Sequence, residues 1–121
     1  MANFSRLLAL YLFFGVAACS RLYAHAILVR STPAEHAVVH GSTLHADLEY
    51  NSRIDAARST LTLTDARGRK VALRMEPAAQ PYQLKAIARN LASGAYLLHW
   101  QVLASDGHIT RGDVAFTVVA N

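Results

Sequence analysis

Apolar side chains recur at every second position near the C-terminal end of this chain. Tyr96, Leu98, Trp100, Val102 and Ala104 share one parity, and Leu97, His99, Gln101 and Leu103 fall between them. Successive side chains of an extended strand point to opposite faces, whereas a helix needs spacings of three and four to form an apolar stripe. This stretch is therefore committed to a strand with a buried face. Leu44 to Tyr50 alternates in the same way, and so does Ser59 to Thr64. Asp65-Ala66-Arg67-Gly68 then reads as a turn, and Val71 to Met75 after it predicts a hairpin. Ala26 to Val29 forms a short apolar run that stops near Ser31-Thr32-Pro33. Pro77 and Pro81 bracket a connection, and Tyr82 to Ala88 is a weaker strand whose Ala86-Ile87-Ala88 equally fits a helical turn. Arg111 to Val119 places Val114, Phe116 and Val118 on one face. Seven or so short strands separated by turns, with no helical stripe beyond two turns, predict an all-β domain: a sandwich or a Greek-key barrel.

The first 24 residues stand apart from this pattern. Met1 to Arg6 carries one cation and no acid, and Leu7 to Cys19 is an apolar run of 13 residues. A membrane-spanning helix needs about 20. A basic start, a short apolar core and small residues after it describe a secretory signal peptide. Cleavage after Ala24 makes His25 the first residue of the exported chain. Val16-Ala17-Ala18-Cys19 offers a competing reading as a lipoprotein box, in which Cys19 is lipidated and anchors the protein to a membrane. The expected organisation is a signal peptide over 1–24 and one domain over 25–121.

Charge narrows the function classes. The formal charge of the whole chain is +4, but Arg6 and Arg21 belong to the leader. Ten basic and eight acidic side chains remain, and they are interspersed. A nucleic-acid footprint needs a concentrated basic patch, so no nucleic-acid partner is expected. One cysteine excludes a disulfide scaffold and a zinc finger. No nucleophile is paired with a base, and no glycine-rich phosphate loop or catalytic carboxylate pair is present.

The chemistry lies in Ser105-Asp106-Gly107-His108. Side chains two apart share a face of a strand, and around a glycine bend they can still converge. A carboxylate and an imidazole make half of a site for a divalent transition metal. Alone, the tripeptide also describes a capped turn, because Asp side chains bond their own backbone. An N-terminal His25 changes the balance. Its α-amine, with an ordinary pKa of about 8, and its imidazole can close a chelate ring on one ion. Two imidazoles, an amine and a carboxylate suit tetragonal Cu(II), which also tops the affinity order for such ligands. Zinc accepts the same atoms but prefers a tetrahedral arrangement.

These residues resemble the CopC family of periplasmic copper-binding proteins. The resemblance starts at His25-Ala26-Ile27-Leu28 and Ser31-Thr32-Pro33-Ala34, and continues with Asp65-Ala66-x-Gly68. It ends with Gly94-x-Tyr96-x-x-x-Trp100-x-Val102-x-x-Ser105-Asp106-Gly107-His108, then Gly112 and Phe116. The resemblance implies a seven-stranded Greek-key β-barrel of immunoglobulin-like shape. It implies one Cu(II) ion held by His25, Asp106 and His108. It implies a periplasmic carrier or buffer in copper homeostasis and resistance rather than an enzyme, with an inner-membrane copper transporter of the CopD type as partner. Some members carry methionine clusters for Cu(I). Here Met75 is the only methionine after the leader, so a site for Cu(II) alone is expected.

Two other readings remain open. An N-terminal histidine chelate also serves copper-dependent enzymes that oxidise polysaccharides, but Asp106 would fill the position oxygen needs and the domain has little surface for a polymer. A metal-free sandwich used for adhesion or assembly would not respond to copper. His36, His40 and His45 are read as solvated loop histidines, with a weak accessory site near His36 or His40, assisted by Glu35, left open. His99 is expected to bond locally, Tyr96 and Trp100 to pack in the core, and Ser105 to bond the turn or orient a ligand.

Overall fold

The computed structural model describes residues 25–121, and the leader expected over 1–24 lies outside them. Nine strands form two sheets. They are β1 (Leu28–Thr32), β2 (Ala37–His40), β3 (Leu44–Tyr50), β4 (Ile54–Thr64), β5 (Lys70–Ala72), β6 (Met75–Glu76), β7 (Gln83–Ala88), β8 (Gly94–Ala104) and β9 (Ile109–Val119). One sheet has the order β1-β3-β7-β6 and the other β2-β9-β8-β4-β5. All pairings are antiparallel except β2 with β9. The result is an open, immunoglobulin-like sandwich, and the barrel alternative is not closed.

Alternation decides which side chains meet between the sheets. Leu44, Ala46, Leu48 and Tyr50 of β3 and Leu84, Ala86 and Ala88 of β7 supply one inner face. Leu61 and Leu63 of β4, Tyr96 to Ala104 of β8 at every second residue, and Val114, Phe116 and Val118 of β9 supply the other. Ala86-Ile87-Ala88 is strand, paired with Leu44 to Ala46, because β3 offers a complementary edge that a helical turn could not use. Val71 to Met75, expected as one strand, divides between the sheets. Lys70–Ala72 pairs with β4, and Met75–Glu76 pairs with β7. β1 and β2 likewise lie in different sheets across the Pro33 connection. Short strands that change sheet thus occupy all four sheet edges, which limits the length of unpaired backbone exposed there. β2 was not anticipated, and His40 closes this strand rather than lying in a loop.

Two details hold the hairpin that carries the functional residues. β4 bulges between Asp55 and Thr60, so its first residues still pair as Ile54 with Ala104 and Asp55 with Leu103. Buried Ser59 repairs the interrupted ladder. Its hydroxyl donates to the Asp55 carbonyl at 2.6 Å and accepts from the Leu103 N–H at 3.2 Å. On the other side of β8, Trp100 faces Gly112. A Cβ at residue 112 would collide with the Trp100 ring, so glycine is required there for space. Trp100 also meets Tyr50 edge-on, with ring centroids 5.4 Å apart.

Two substitutions test these supports. Gly112→Ala must displace a buried indole, and overpacking of this kind costs about 1–3 kcal/mol. A thermal melt should show a loss of several degrees, and an unchanged midpoint would contradict the packing. Ser59→Ala leaves a half-buried N–H and carbonyl without their partner, so denaturant titration should show a loss of about 1 kcal/mol, and an unchanged midpoint would contradict this role.

Candidate metal centre

The β8–β9 connection is a tight hairpin built by its own sequence. The Gly107 N–H donates to the Ala104 carbonyl at 3.0 Å, and the Ala104 N–H donates to the His108 carbonyl at 2.8 Å. Gly107 has φ +88°, in the left-handed region where a side chain is disfavoured. This is the three-residue hairpin loop that ends in a left-handed glycine. Asp106 caps it, accepting the His108 N–H on Oδ1 at 2.9 Å. The second oxygen, Oδ2, is 2.8 Å from His108 Nδ1. The two side chains expected to converge around the glycine bend do so, and the capped-turn reading holds at the same time.

His25 reaches this tip because the residues after it are tied down. Ala26 is buried, and its carbonyl accepts the Thr110 hydroxyl at 2.9 Å. The Ile27 N–H donates to Asn51 Oδ1, and the Asn51 N–H donates to the Ile27 carbonyl. These bonds join the start of the domain to the β3–β4 connection and to β9. His25 Nδ1 then lies 3.7 Å from Asp106 Oδ2, and its ring meets that of His108 edge-on at 4.7 Å between centroids. One candidate ligand atom from each of His25, Asp106 and His108 lies within 4.8 Å of the others. Asn51 and Thr110 are not singled out by the sequence, which marks Ala26 only as part of an apolar run and of the His25-Ala26 start. Contacts this remote in the chain leave no local signal.

Electrostatics keeps the cluster ready for a cation. The Asp106 carboxyl is held below its ordinary range, chiefly by the His108 main-chain N–H, against an opposing cost of lost solvation. The His108 ring bond and the two imidazole charges add to the lowering. The turn backbone is exposed, yet the Asp106 side chain retains only 18% of its accessibility, while the His25 and His108 side chains retain 54% and 65%. The carboxylate is thus the inner donor, and both imidazoles stand open to an incoming ion. The ligand chemistry fits a borderline divalent ion: nitrogen from two rings and oxygen from one carboxylate.

The other singled-out residues lie elsewhere. His99 Nδ1 bonds Asp113 Oδ1 across β8 and β9 at 2.7 Å, the local bond expected of it. His36 sits in a turn with φ +64°, 3.6 Å from Glu35, whose other oxygen accepts the Ala115 N–H. His45 is exposed on β3. Among the described residues, His36, His40, His45 and Glu35 join no three-residue ligand cluster. Ser105 donates its N–H to the Arg53 carbonyl at 3.3 Å, which ties the turn to the residue before β4.

These features define a class: a small immunoglobulin-like sandwich with an exposed nitrogen-and-oxygen donor cluster at one tip. Residues 28–119 match the family model described as the CopC domain. The chain belongs to the CopC family. It is 30% identical over 108 residues to copper resistance protein C of Xanthomonas campestris pv. juglandis, covering 84% of this chain and 85% of that one. It superposes on the crystal structure of CopC from Methylosinus trichosporium OB3b with a TM-score of 0.74 and 31% identity, over 80% of this chain and 96% of the other. It is also similar to PcoC, a methionine-rich copper resistance protein from Escherichia coli. There the TM-score is 0.63 and the identity 25%, over 79% of this chain and all of that one.

Because the folded carboxyl of Asp106 titrates below its unfolded value, its bonds stabilise the tip above the ordinary carboxylate range. That contribution is lost as pH falls through the lowered value. A carbon-detected NMR titration of the metal-free protein should place the Asp106 midpoint below 3.8, its ordinary value. A midpoint at or above that value would mean the bonds from His108 do not form.

Proposed function

We propose that this protein is an exported copper-binding protein of copper resistance and homeostasis, which holds one Cu(II) ion as cargo at the sandwich tip. The observation that carries this reading is the meeting of His25 with Asp106 and His108, from chain positions more than 80 residues apart. Membership of the CopC family supplies copper as the ion. The donor atoms favour Cu(II), and residues 25–121 carry a single methionine, Met75 on β6, too few for a thioether cluster that would hold Cu(I). The role is to carry or buffer the ion, with the open histidine rings as the route of entry and release.

Full affinity in this reading requires the leader to be removed after Ala24. Cleavage converts the His25 peptide nitrogen into an amine, which adds a fourth donor beside the imidazole and closes the chelate. Export to the periplasm follows from the same leader. The alternative of lipidation at Cys19 would tether the domain to a membrane and leave His25 an internal residue without that amine. The family resemblance adds an inner-membrane transporter of the CopD type as the partner that exchanges copper with this protein.

The test is the intact mass of the exported protein with and without one equivalent of Cu(II). The expected species begins at His25 and gains one copper. His108→Ala should then weaken binding roughly a hundredfold, equivalent to about 3 kcal/mol, in a competition titration. A His25 start without copper uptake would refute metal binding and leave an interaction module. A lipid on Cys19 would refute the amine-containing site. Since ligands must shed their protons to bind, the affinity should fall as the solution is acidified.

A further inference from the structure

The end of the sandwich remote from the metal cluster is open and cationic. β8 runs the length of the molecule, so Gly94 at its start and Ala104 at its end stand roughly 30 Å apart. At the Gly94 end, the two sheets part around a cavity of about 690 Å³. That size lies within the range of small-molecule sites, roughly 300–1,000 Å³. Its floor is apolar and comes from both sheets, including Leu63, Tyr96 and Ala88, and from Leu91 and the sheet-changing Leu73. Tyr96 cannot turn its hydroxyl to a ligand without loss, because it donates to the Ala92 carbonyl at 2.7 Å.

The rim carries four guanidiniums, from Arg67, Arg69, Arg74 and Arg89, against the single carboxylate of Asp65. That carboxylate is already engaged. Asp65 accepts the N–H groups of Arg67 and Arg69 and binds Arg69 Nε at 2.9 Å. Among the described residues, Arg67, Arg74 and Arg89 have no carboxylate within ion-pair distance. Elsewhere among the described residues Arg30 pairs with Glu49 and Arg58 with Asp55, while Arg53, Lys70, Lys85 and Arg111 join no ion pair; the arginines at this end are set apart by meeting around one cavity. Three unpaired guanidiniums over an apolar hollow form a complement to a molecule with an anionic head and a hydrocarbon body. Arginine is suited to the head, since its fork matches the oxygens of phosphate and carboxylate.

We propose that this cavity is a second binding site, for a small anionic amphiphile with a phosphate or carboxylate head and a short hydrocarbon tail. The tail lies on Leu63, Leu73, Leu91 and Tyr96, and the head meets Arg74 and Arg89. The site shares no residue with the copper cluster, so it stands whether or not the copper reading does. The same head-and-tail chemistry is available from a soluble amphiphile and from a phospholipid.

The test uses the exported protein and octyl phosphate below its micelle concentration, followed by amide NMR shifts. Shifts confined to residues 63–74 and 87–96 are expected. Inorganic phosphate and octanol, each supplying half of the ligand, should bind at least about tenfold more weakly. Arg74→Gln combined with Arg89→Gln should weaken octyl phosphate about tenfold or more. A dispersed amide spectrum matching that of the parent protein outside the cavity reports that this variant remains folded. Co-sedimentation with phosphatidylglycerol but not phosphatidylcholine vesicles, abolished by the double variant, would assign the ligand to the lipid source. Sedimentation with neither would assign it to the soluble one. Shifts scattered over the surface, equal binding of inorganic phosphate, or an unaffected double variant would overturn the proposal.

Discussion

The ladder between β8 and β9 governs both ends of this molecule. Its pairs run from Gly94 with Val118 to Leu103 with Ile109, the longest register in the sandwich. Each inward residue of β8 packs between the sheets, and Trp100 fits only because Gly112 has no side chain opposite it. The ladder closes in the hairpin that presents Asp106 and His108. At its other end it supports the floor of the cationic cavity. Rigid pairing matters here because a site on a loop is only as precise as the elements that hold it.

The end that carries the proposed metal site combines a local device with a remote one. Asp106, Gly107 and His108 form their geometry from adjacent residues: a left-handed glycine, an Asx bond and a ring-to-carboxylate bond. His25 arrives by a different route, held by Ala26 in the core and by Thr110 and Asn51. Exposed imidazoles above a more sheltered carboxylate suit the proposed role of taking up and releasing an ion. A buried site with every donor enclosed would hold its ion more tightly but exchange it more slowly. The Ser59 bulge and the Ser105-to-Arg53 bond brace the same turn from the β4 side.

Much of the fold was legible because period-two burial is a direct consequence of strand geometry. The alternation predicts β3 at Leu44 to Tyr50 with the observed bounds and β7 to β9 within two residues, whereas β4 starts at Ile54, five residues before the predicted Ser59, across its bulge. The elements read wrongly were those whose sequence carries no alternation. β2 has only four residues, and β5 and β6 have three and two. Such strands exist because a neighbouring edge needs a partner. Their own residues do not specify them. The same reason explains why His40 was read as a loop residue.

The sequence alone determined the class of the fold, the turn that joins Asp106 to His108, and the donor types that suit copper. Those properties follow from alternation, from glycine's conformational freedom and from ligand chemistry, all of which act over a few residues. Tertiary structure alone decided that His25 stands beside that turn, because Thr110 lies 84 residues from the carbonyl it holds. It also decided that Arg67, Arg74 and Arg89 gather around one apolar hollow while Asp65 is occupied with Arg69. In sequence these arginines are scattered cations among acids. The β4–β5 turn, the switch from β5 to β6 and the end of β7 meet at one cavity, which turns that scatter into a cationic rim.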